Sequence, residues 1–259
     1  MSRATTIPRA REQVQRARRF PLPSPQSLVI GCGVLALAGG LYGVGRETSA
    51  FAVQRIDVAG APPAVRRQVR ETAGMLRGKS LLSLDGAALR SSLVGLPAVV
   101  DAGYDRAFPH TLRIVVVPEV PVGVVRQGAK AWIVSARGRV VAPVNPHAAQ
   151  RLARVWIPRT TPVAVGGFLP ANHGTAVARA LALASRFPAH IAAASLRRNG
   201  LVFRLRSGLE LRLGDPTDVR LKLAIARAAL RRLPAGSTYV DVSVPGRPVA
   251  GNSQVSGRD

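Results

Sequence analysis

Hydrophobic and polar positions divide the chain into one long apolar run near the N-terminus and many short periodic segments after it. Residues 27–45 read SLVIGCGVLALAGGLYGVG and contain no charged side chain. A helix of this length rises about 28 Å at 1.5 Å per residue, which is close to the hydrocarbon thickness of a bilayer. The pattern therefore predicts a single N-terminal transmembrane helix over residues 27–45.

The residues before this run predict its orientation. Residues 1–26 contain six arginines and one glutamate, and positive charge beside a span keeps that end in the cytoplasm. We expect a basic cytoplasmic tail over residues 1–26, with the bulk of the chain on the other side of the membrane. A cleaved signal peptide is the alternative, because Ala50-Phe51-Ala52 has the form of a cleavage site. The long basic region and the long apolar run favour the uncleaved anchor.

From residue 51 the periodicity predicts a small mixed domain. Apolar and polar residues alternate over 51–58, as in a strand, and Pro62-Pro63 then opens a helix. A second helix follows a predicted cap at Asp85, and two strands cover 99–105 and 111–117. The order is β-α-α-β-β, and we assign it to a domain over residues 51–121.

Residues 122–245 read as a second, β-rich domain with two helices. The predicted strands cover residues 122–127, 129–135, 138–142, 153–157, 194–198, 201–206, 209–213 and 239–244, and the helices cover 170–188 and 218–233, the second with Asp218 as its cap. Residues 246–259 are rich in Pro, Gly and Ser and predict a disordered tail. The fold class is therefore α+β, with one transmembrane helix, a β-α-α-β-β domain and a mixed β-rich domain.

Composition limits the function classes. The chain has 259 residues, a formal net charge of +24 and one cysteine, which excludes a disulfide framework and a cysteine-rich zinc site. Such a charge requires an anionic neighbour. Nucleic acid is not expected, because aromatic residues make up only 4% and the arginines are spread along every segment. Acidic lipid or cell-wall polymer explains the charge better.

No catalytic pattern emerges from the polar residues. The histidines are far apart and lack ligand spacing, namely His110, His147, His173 and His190. Gly74 to Gly78-Lys79 is one residue short of a phosphate-binding loop. We therefore expect no enzyme, no cofactor and no metal. A secreted enzyme remains the third reading, since spacing leaves open a facing pair of carboxylates.

Several motifs together carry a resemblance to a known family. They are Phe51, Val53, Ile56, Val58 and Gly60; Gly78 with Leu81, Leu82 and Asp85; Leu96-Pro97 with Val99; Arg106, Pro109, Thr111, Leu112 and Ile114; Leu209, Leu211, Leu213 and Gly214 with Lys222 and Leu223; and Val240-Asp241-Val242-Ser243. With the anchor and basic tail, this order resembles the FtsQ/DivIB family of bacterial cell-division proteins. Two departures are Pro118-Glu119, where the family usually has an acidic-basic pair, and Val244, where some members have Tyr.

The resemblance implies a POTRA domain over residues 51–121 and a β-domain over 122–245. It implies a non-enzymatic bitopic scaffold of the divisome, in the cytoplasmic membrane and enriched at the septum. The implied partners are small bitopic coiled-coil division proteins and the septal peptidoglycan synthesis complex. The alternative is an envelope-anchored POTRA-type protein that binds cell-wall polymer without a division role.

The last predicted strand is the candidate partner site. A strand that ends a sheet leaves unpaired main-chain groups that can accept a partner strand. In the family the end of the β-domain is where the bitopic partners dock, so the resemblance implies the same here. The candidate residues are Tyr239, Val240, Asp241, Val242, Ser243 and Val244 on the strand, with Arg227 and Arg231 on the preceding helix.

Overall fold

A computed structural model describes residues 25–47, 49–146 and 149–252, and the chain divides into two compact units, Met1–Thr48 and Ser49–Asp259. The first unit contains α1, Pro25–Glu47, which covers the predicted span. Its side chains from Pro25 to Gly40 are exposed. Within the described part of the chain, no helix has the length and apolar character needed to cross a membrane. The predicted basic tail lies outside the described residues except for its last two.

The second unit begins with a three-stranded sheet that carries two helices, which we call the N-terminal module. Its elements are β1 Arg55–Ala59, α2 Pro63–Ala73, α3 Gly86–Val94, β2 Val99–Ala107 and β3 Thr111–Pro118. The strand order is β1-β3-β2, with β1 parallel and β2 antiparallel to β3. Side chains from all three strands and both helices form one buried core, so the predicted β-α-α-β-β order is confirmed.

Local polar contacts explain where α3 begins and how it is attached to the sheet. Asp85 Oδ1 accepts hydrogen bonds from the Ala87 and Ala88 amides, at 2.9 and 3.0 Å, as the predicted cap. Arg90 on α3 pairs with Asp101 on β2, at 2.8 Å. The hydrogen bond from Arg90, with a second from the Ala102 amide, holds the pKa of Asp101 below its ordinary value.

The first strand is shorter than the sequence predicts. Burial alternates only from Arg55 onward, because Ala52 and Val53 are both buried and Gln54 is exposed, and β1 begins at Arg55. Val53 is buried, its amide donates to the Lys79 carbonyl, and its own carbonyl accepts from the Gly78 amide. The loop before α3, rather than β3, therefore satisfies the main chain at Val53.

The rest of the unit, which we call the C-terminal module, is one nine-stranded sheet with two helices. Its strands are β4 Pro121–Gln127, β5 Lys130–Ser135, β6 Val140–Pro143, β7 Ala153–Trp156, β8 Ile191–Arg197, β9 Gly200–Leu205, β10 Glu210–Gly214, β11 Tyr239–Asp241 and β12 Val249–Gly251; its helices are α4 Ala176–Leu183 and α5 Val219–Leu230. The strand order is β12-β11-β10-β9-β8-β7-β4-β5-β6. Both helices contribute side chains to one core with the strands, so we call the covered side of the sheet the core face and the other side the open face.

Both helices of this module depart from the predicted bounds. The helix expected over 170–188 consists of a π-turn at Ala171–Thr175, then α4, then a short turn at Ala184–Arg186. The predicted cap Asp218 is wrong, because this residue has a φ of 50° and its side chain does not cap α5. Asp215 does the anchoring: its carboxylate accepts from the Thr217 amide and its carbonyl accepts from the buried Lys222 Nζ, at 2.7 Å.

A polar seam joins the two modules, and Arg139 is its centre. The Arg139 guanidinium donates to the Val99 carbonyl of β2 at 2.8 Å and to the Val94 carbonyl of α3 at 3.4 Å. Its Nε donates to the Gly166 carbonyl at 2.9 Å. One side chain of the C-terminal module thus contacts the main chain of two elements of the N-terminal module.

Main-chain bonds and a buried acid complete the seam. The Glu119 amide donates to the Ala98 carbonyl and the Ala136 amide donates to the Val120 carbonyl, both at 2.9 Å. The Glu119 carboxylate is almost fully buried, with Arg137 Nη1 at 3.8 Å from its Oε1. Glu119 and Val120 form the junction between the modules, so these bonds fix the chain where it passes from one to the other.

Removing the Arg139 side chain should loosen this seam. We expect Arg139→Ala to lower the free energy of unfolding of the full chain by about 3 kcal/mol, because a hydrogen bond to a charged group contributes about 1.5–3 kcal/mol and several are lost. Denaturant unfolding measures it. Arg220→Ala, at an exposed position on α5, is the control and should change stability by less than about 0.5 kcal/mol. Equal stabilities of the two variants would contradict the role of Arg139.

Candidate docking surface

The predicted terminal strand is not at the edge of the sheet. Residues 239–244 were expected to end the sheet, but β11 covers only Tyr239–Asp241 and has a neighbour on each side. It pairs in parallel with β10 and antiparallel with β12. The interpretation of residues 239–244 as an open edge is therefore wrong, and the outermost described strand at this end is β12.

A tight turn explains the additional strand. Val244-Pro245-Gly246-Arg247 turns the chain back, and the Arg247 amide donates to the Val244 carbonyl at 3.0 Å. Val249–Gly251 then runs back along β11, with Tyr239 opposite Gly251 and Asp241 opposite Val249. The expectation of a disordered tail from residue 246 is wrong for these residues, because the same Pro and Gly that suggested disorder form the turn of a hairpin. Residues 253–259 lie outside the described part.

The alternation of main-chain groups indicates which β12 groups face outward. The Val242 amide donates to the Arg212 carbonyl of β10 at 2.8 Å. Successive residues of a strand direct their amide and carbonyl groups to opposite sides, so those of Tyr239 and Asp241 point towards β12. Their partners Val249 and Gly251 then face β11. Ala250 directs its amide and carbonyl to the outside of the sheet, where a further strand can pair.

The side chains of the candidate segment divide between the two faces of the sheet. Val240 and Val242 are buried in the core with α5. Tyr239 lies on the open face, with the Arg212 guanidinium 4.2 Å from its ring centroid. Asp241 Oδ1 accepts from the Ser243 amide at 2.9 Å, which closes the chain after β11. Only part of the predicted segment is therefore available for a side-chain contact with a partner.

Gly214 permits the close passage of the segment after β11. It has a φ of 64°, and a Cβ built there would lie 2.6 Å from the Cβ of Ser243. Any side chain at this position would displace Ser243. The glycine at the end of the Leu209-to-Leu213 motif is thus required by packing against the segment that leads into β12.

The two candidate arginines lie on the helical side of the sheet. Arg227 and Arg231 are exposed, and α5 packs its Leu223 and Ala226 against the core face beneath Val240. They are therefore separated from Tyr239 and Asp241 by the sheet itself. They flank the same end of the sheet as β12, because α5 contacts both β10 and β11.

A cationic cavity beside this end was not predicted. It has a volume of about 560 Å³, and its lining includes Arg197, Arg198, Arg212, Asp241 and Ser243. Alternation along the predicted strands would have placed Arg212 opposite the core. The sequence offers no signal that the turn at Arg197-Arg198 reaches the same place, because that depends on the pairing of β8, β9 and β10.

Metal binding has no structural support in the described part of the chain, where no three His, Cys, Asp or Glu residues come together as a ligand group. The arrangement at this end is instead one of strand edge, aromatic ring and guanidinium groups. These groups suit recognition of another chain.

Comparison with known proteins defines the class. Residues 51–117 match the family model described as POTRA domain, FtsQ-type, and these are the residues of the N-terminal module and the segment that leads into it. This part of the chain is therefore similar to POTRA domains of the FtsQ type.

Similarity to curated proteins extends well beyond that domain. Two proteins named Cell division protein FtsQ are each 26% identical: one from Streptomyces venezuelae over 92% of this chain and 88% of its own length, and one from Streptomyces coelicolor over 98% and 100%. A protein of the same name from Agrobacterium fabrum is 25% identical over 58% of this chain and 51% of its own length. The chain is thus similar over most of its length to proteins named Cell division protein FtsQ, and its residues 51–117 match the FtsQ-type POTRA domain.

Proposed function

We propose that this protein is a non-enzymatic, bitopic scaffold of the divisome that recruits and links bitopic partners of the septal peptidoglycan synthesis machinery. The observation that carries the proposal is the similarity over nearly the whole chain to proteins named for cell division, with an FtsQ-type POTRA domain at residues 51–117. A scaffold needs surfaces rather than a reaction centre, and the C-terminal module offers a strand edge and a cationic cavity side by side.

The partner strand docks on β12 in this proposal. β12 has three residues and leaves the outward groups of Ala250 available, so an added strand gains main-chain hydrogen bonds without displacing β11. In this arrangement, residues Tyr239 to Val244 do not pair with the partner strand themselves. They lie one strand inside the sheet, where they support β12 and shape the adjoining cavity. The partners are small bitopic coiled-coil division proteins.

Arg227 and Arg231 contribute less to docking in this proposal than β12 does. A partner that pairs with β12 and continues over the helical side of the sheet passes α5, where both guanidinium groups are exposed. Acidic residues in that part of the partner can form ion pairs with these two guanidinium groups. Exposed ion pairs contribute about 0–1 kcal/mol each, so these arginines guide register more than they supply affinity.

We extend the proposal to the membrane. The support is the uncharged sequence of residues 27–45, on a helix whose apolar side chains, such as Leu28, Val29 and Leu35, are exposed. Six arginines before it favour a cytoplasmic N-terminus. The two modules then lie outside the cytoplasmic membrane, beside the septal synthesis machinery.

A fluorescent fusion tests the cellular role. We expect the full chain, fused at its cytoplasmic end, to give a peripheral membrane signal that is enriched at the septum of dividing cells of the native host. Time-lapse microscopy measures the septal-to-lateral ratio, and a fusion of the first 48 residues alone is the control for anchoring without the modules. A uniform envelope signal from the full chain would reject the division role and favour the polymer-binding alternative.

A proline on β12 tests the docking edge. Ala250→Pro removes the one outward amide donor of the strand, so recovery of the bitopic partner with the tagged full chain should fall about fivefold, in line with the loss of about 1 kcal/mol per hydrogen bond. Quantitative mass spectrometry after cross-linking in dividing cells measures the recovery.

The matched control changes a side chain and leaves the main chain intact. Val249→Thr, at an exposed position of the same strand, should keep wild-type recovery. The thermal unfolding of both variants is compared with that of the wild type to show that they are folded. Wild-type recovery with a folded Ala250→Pro variant would show that β12 is not the docking edge.

A further inference from the structure

The open face of the nine-stranded sheet contains a trough that the docking edge does not use. Its floor consists of small side chains on β8 and β9, namely Ala193, Ser195 and Val202. Trp156 on β7 forms one wall, and Arg204 with Glu210 forms the other. The cavity has a volume of about 540 Å³, within the range of small-ligand sites in proteins.

Two rows of residues, aligned across the strands, build this trough. One row runs from Arg154 through Ala193 and Arg204 to Glu210 and Tyr239. The other includes Arg126 opposite Trp156, Ser195 opposite Val202, and Arg212 opposite both Val202 and Asp241. In each row, long side chains flank short ones. The short side chains therefore form the floor of the trough, and the long side chains form its walls.

The charge of the trough is strongly positive. Arg197, Arg204 and Glu210 line the trough. Arg212 and Asp241 line the adjoining cavity. Arg154 lies opposite the floor residue Ala193, and Arg126 lies opposite Trp156. Glu210 is shared between Arg204 and Arg212, at 3.2 and 3.8 Å. A guanidinium group presents its N–H donors in a planar fork, which matches the geometry of a phosphate or carboxylate of a ligand.

Trp156 adds an aromatic surface to the positively charged trough. The indole is 55% exposed, and the Arg126 guanidinium lies 4.8 Å from its ring centroid. An exposed indole offers an apolar face bordered by polar groups, which suits a flat, amphipathic ring in a ligand.

The floor strands cannot accept a further strand, because β8 and β9 are paired on both sides. A ligand is therefore held through side chains: a ring on the indole and anionic groups on the guanidiniums. We propose that the open face of the β-domain binds a phosphate-bearing glycan, with a sugar ring against Trp156 and a phosphate at Arg204 and Arg154. Its source in the cell envelope rests on the proposed location of the modules, but the binding itself does not.

Isothermal titration calorimetry on the full chain, in a neutral detergent without sugar groups, tests the proposal. The probes are phosphorylated dextran, unmodified dextran, and poly-glutamate of matched charge. We expect phosphorylated dextran to bind at least tenfold more tightly than either of the others. Because no division partner is present, failure of this binding leaves the proposed scaffold role untouched, and failure of septal localisation leaves this binding untouched.

Variants distinguish the trough from general charge attraction. Trp156→Ala and Arg204→Gln should each lower the affinity for phosphorylated dextran about tenfold. Arg70→Ala, which removes one exposed charge from α2, is the control and should leave it unchanged. If Trp156→Ala does not fold, Arg154→Gln with Arg204→Gln completes the test.

Two results would overturn the proposal. Poly-glutamate that binds as tightly as phosphorylated dextran, with no effect of Trp156→Ala, would assign the face to an acidic protein segment instead. Equal losses in the Arg70 and Arg204 variants would show attraction by net charge without a site.

Discussion

The contact between the Arg139 guanidinium and main-chain carbonyls of α3 and β2 determines how the two modules are joined. The same side chain also donates to the Gly166 carbonyl of its own module. Arg139 is therefore hydrogen-bonded to both modules at once. Carbonyl acceptors suit this role, because they cannot titrate and a planar guanidinium can reach several at once. The buried Glu119, with Arg137 beside it, lies where the chain crosses between the modules.

With the modules joined in this way, the nine-stranded sheet has a separate role for each of its surfaces. The core face is covered by α4 and α5. The β12 edge exposes main-chain groups and suits a strand of any sequence with the right register. The open face exposes guanidinium groups and Trp156, which recognise a ligand by its charge and shape. In the proposed role, a protein partner pairs with the edge while the open face binds a phosphate-bearing glycan.

The local sequence pattern was sufficient to predict most of the helices and strands. It was rarely sufficient to predict how strands that are far apart in the sequence pair with each other. The cap at Asp85 and the apolar repeat of α2 depend on neighbours within a few residues, and both were predictable. The pairing of Val249–Gly251 with β11 depends on a turn whose Pro and Gly equally suit a disordered tail. Asp218 looked like a cap, but the contacts of Asp215 with Thr217 and the buried Lys222 depend on tertiary packing. The candidate site shifted by one strand for the same reason.

The distance between the two modules in solution tests the central claim most directly. Spin labels at Met75→Cys and Val244→Cys, both exposed, can be placed in the full chain after its only cysteine, Cys32, is changed to Ser. Pulsed electron spin resonance should then give one narrow distance distribution, because the seam holds the modules as a single body. A broad or two-peaked distribution would contradict the account, since the docking edge would then have no fixed orientation relative to the POTRA domain.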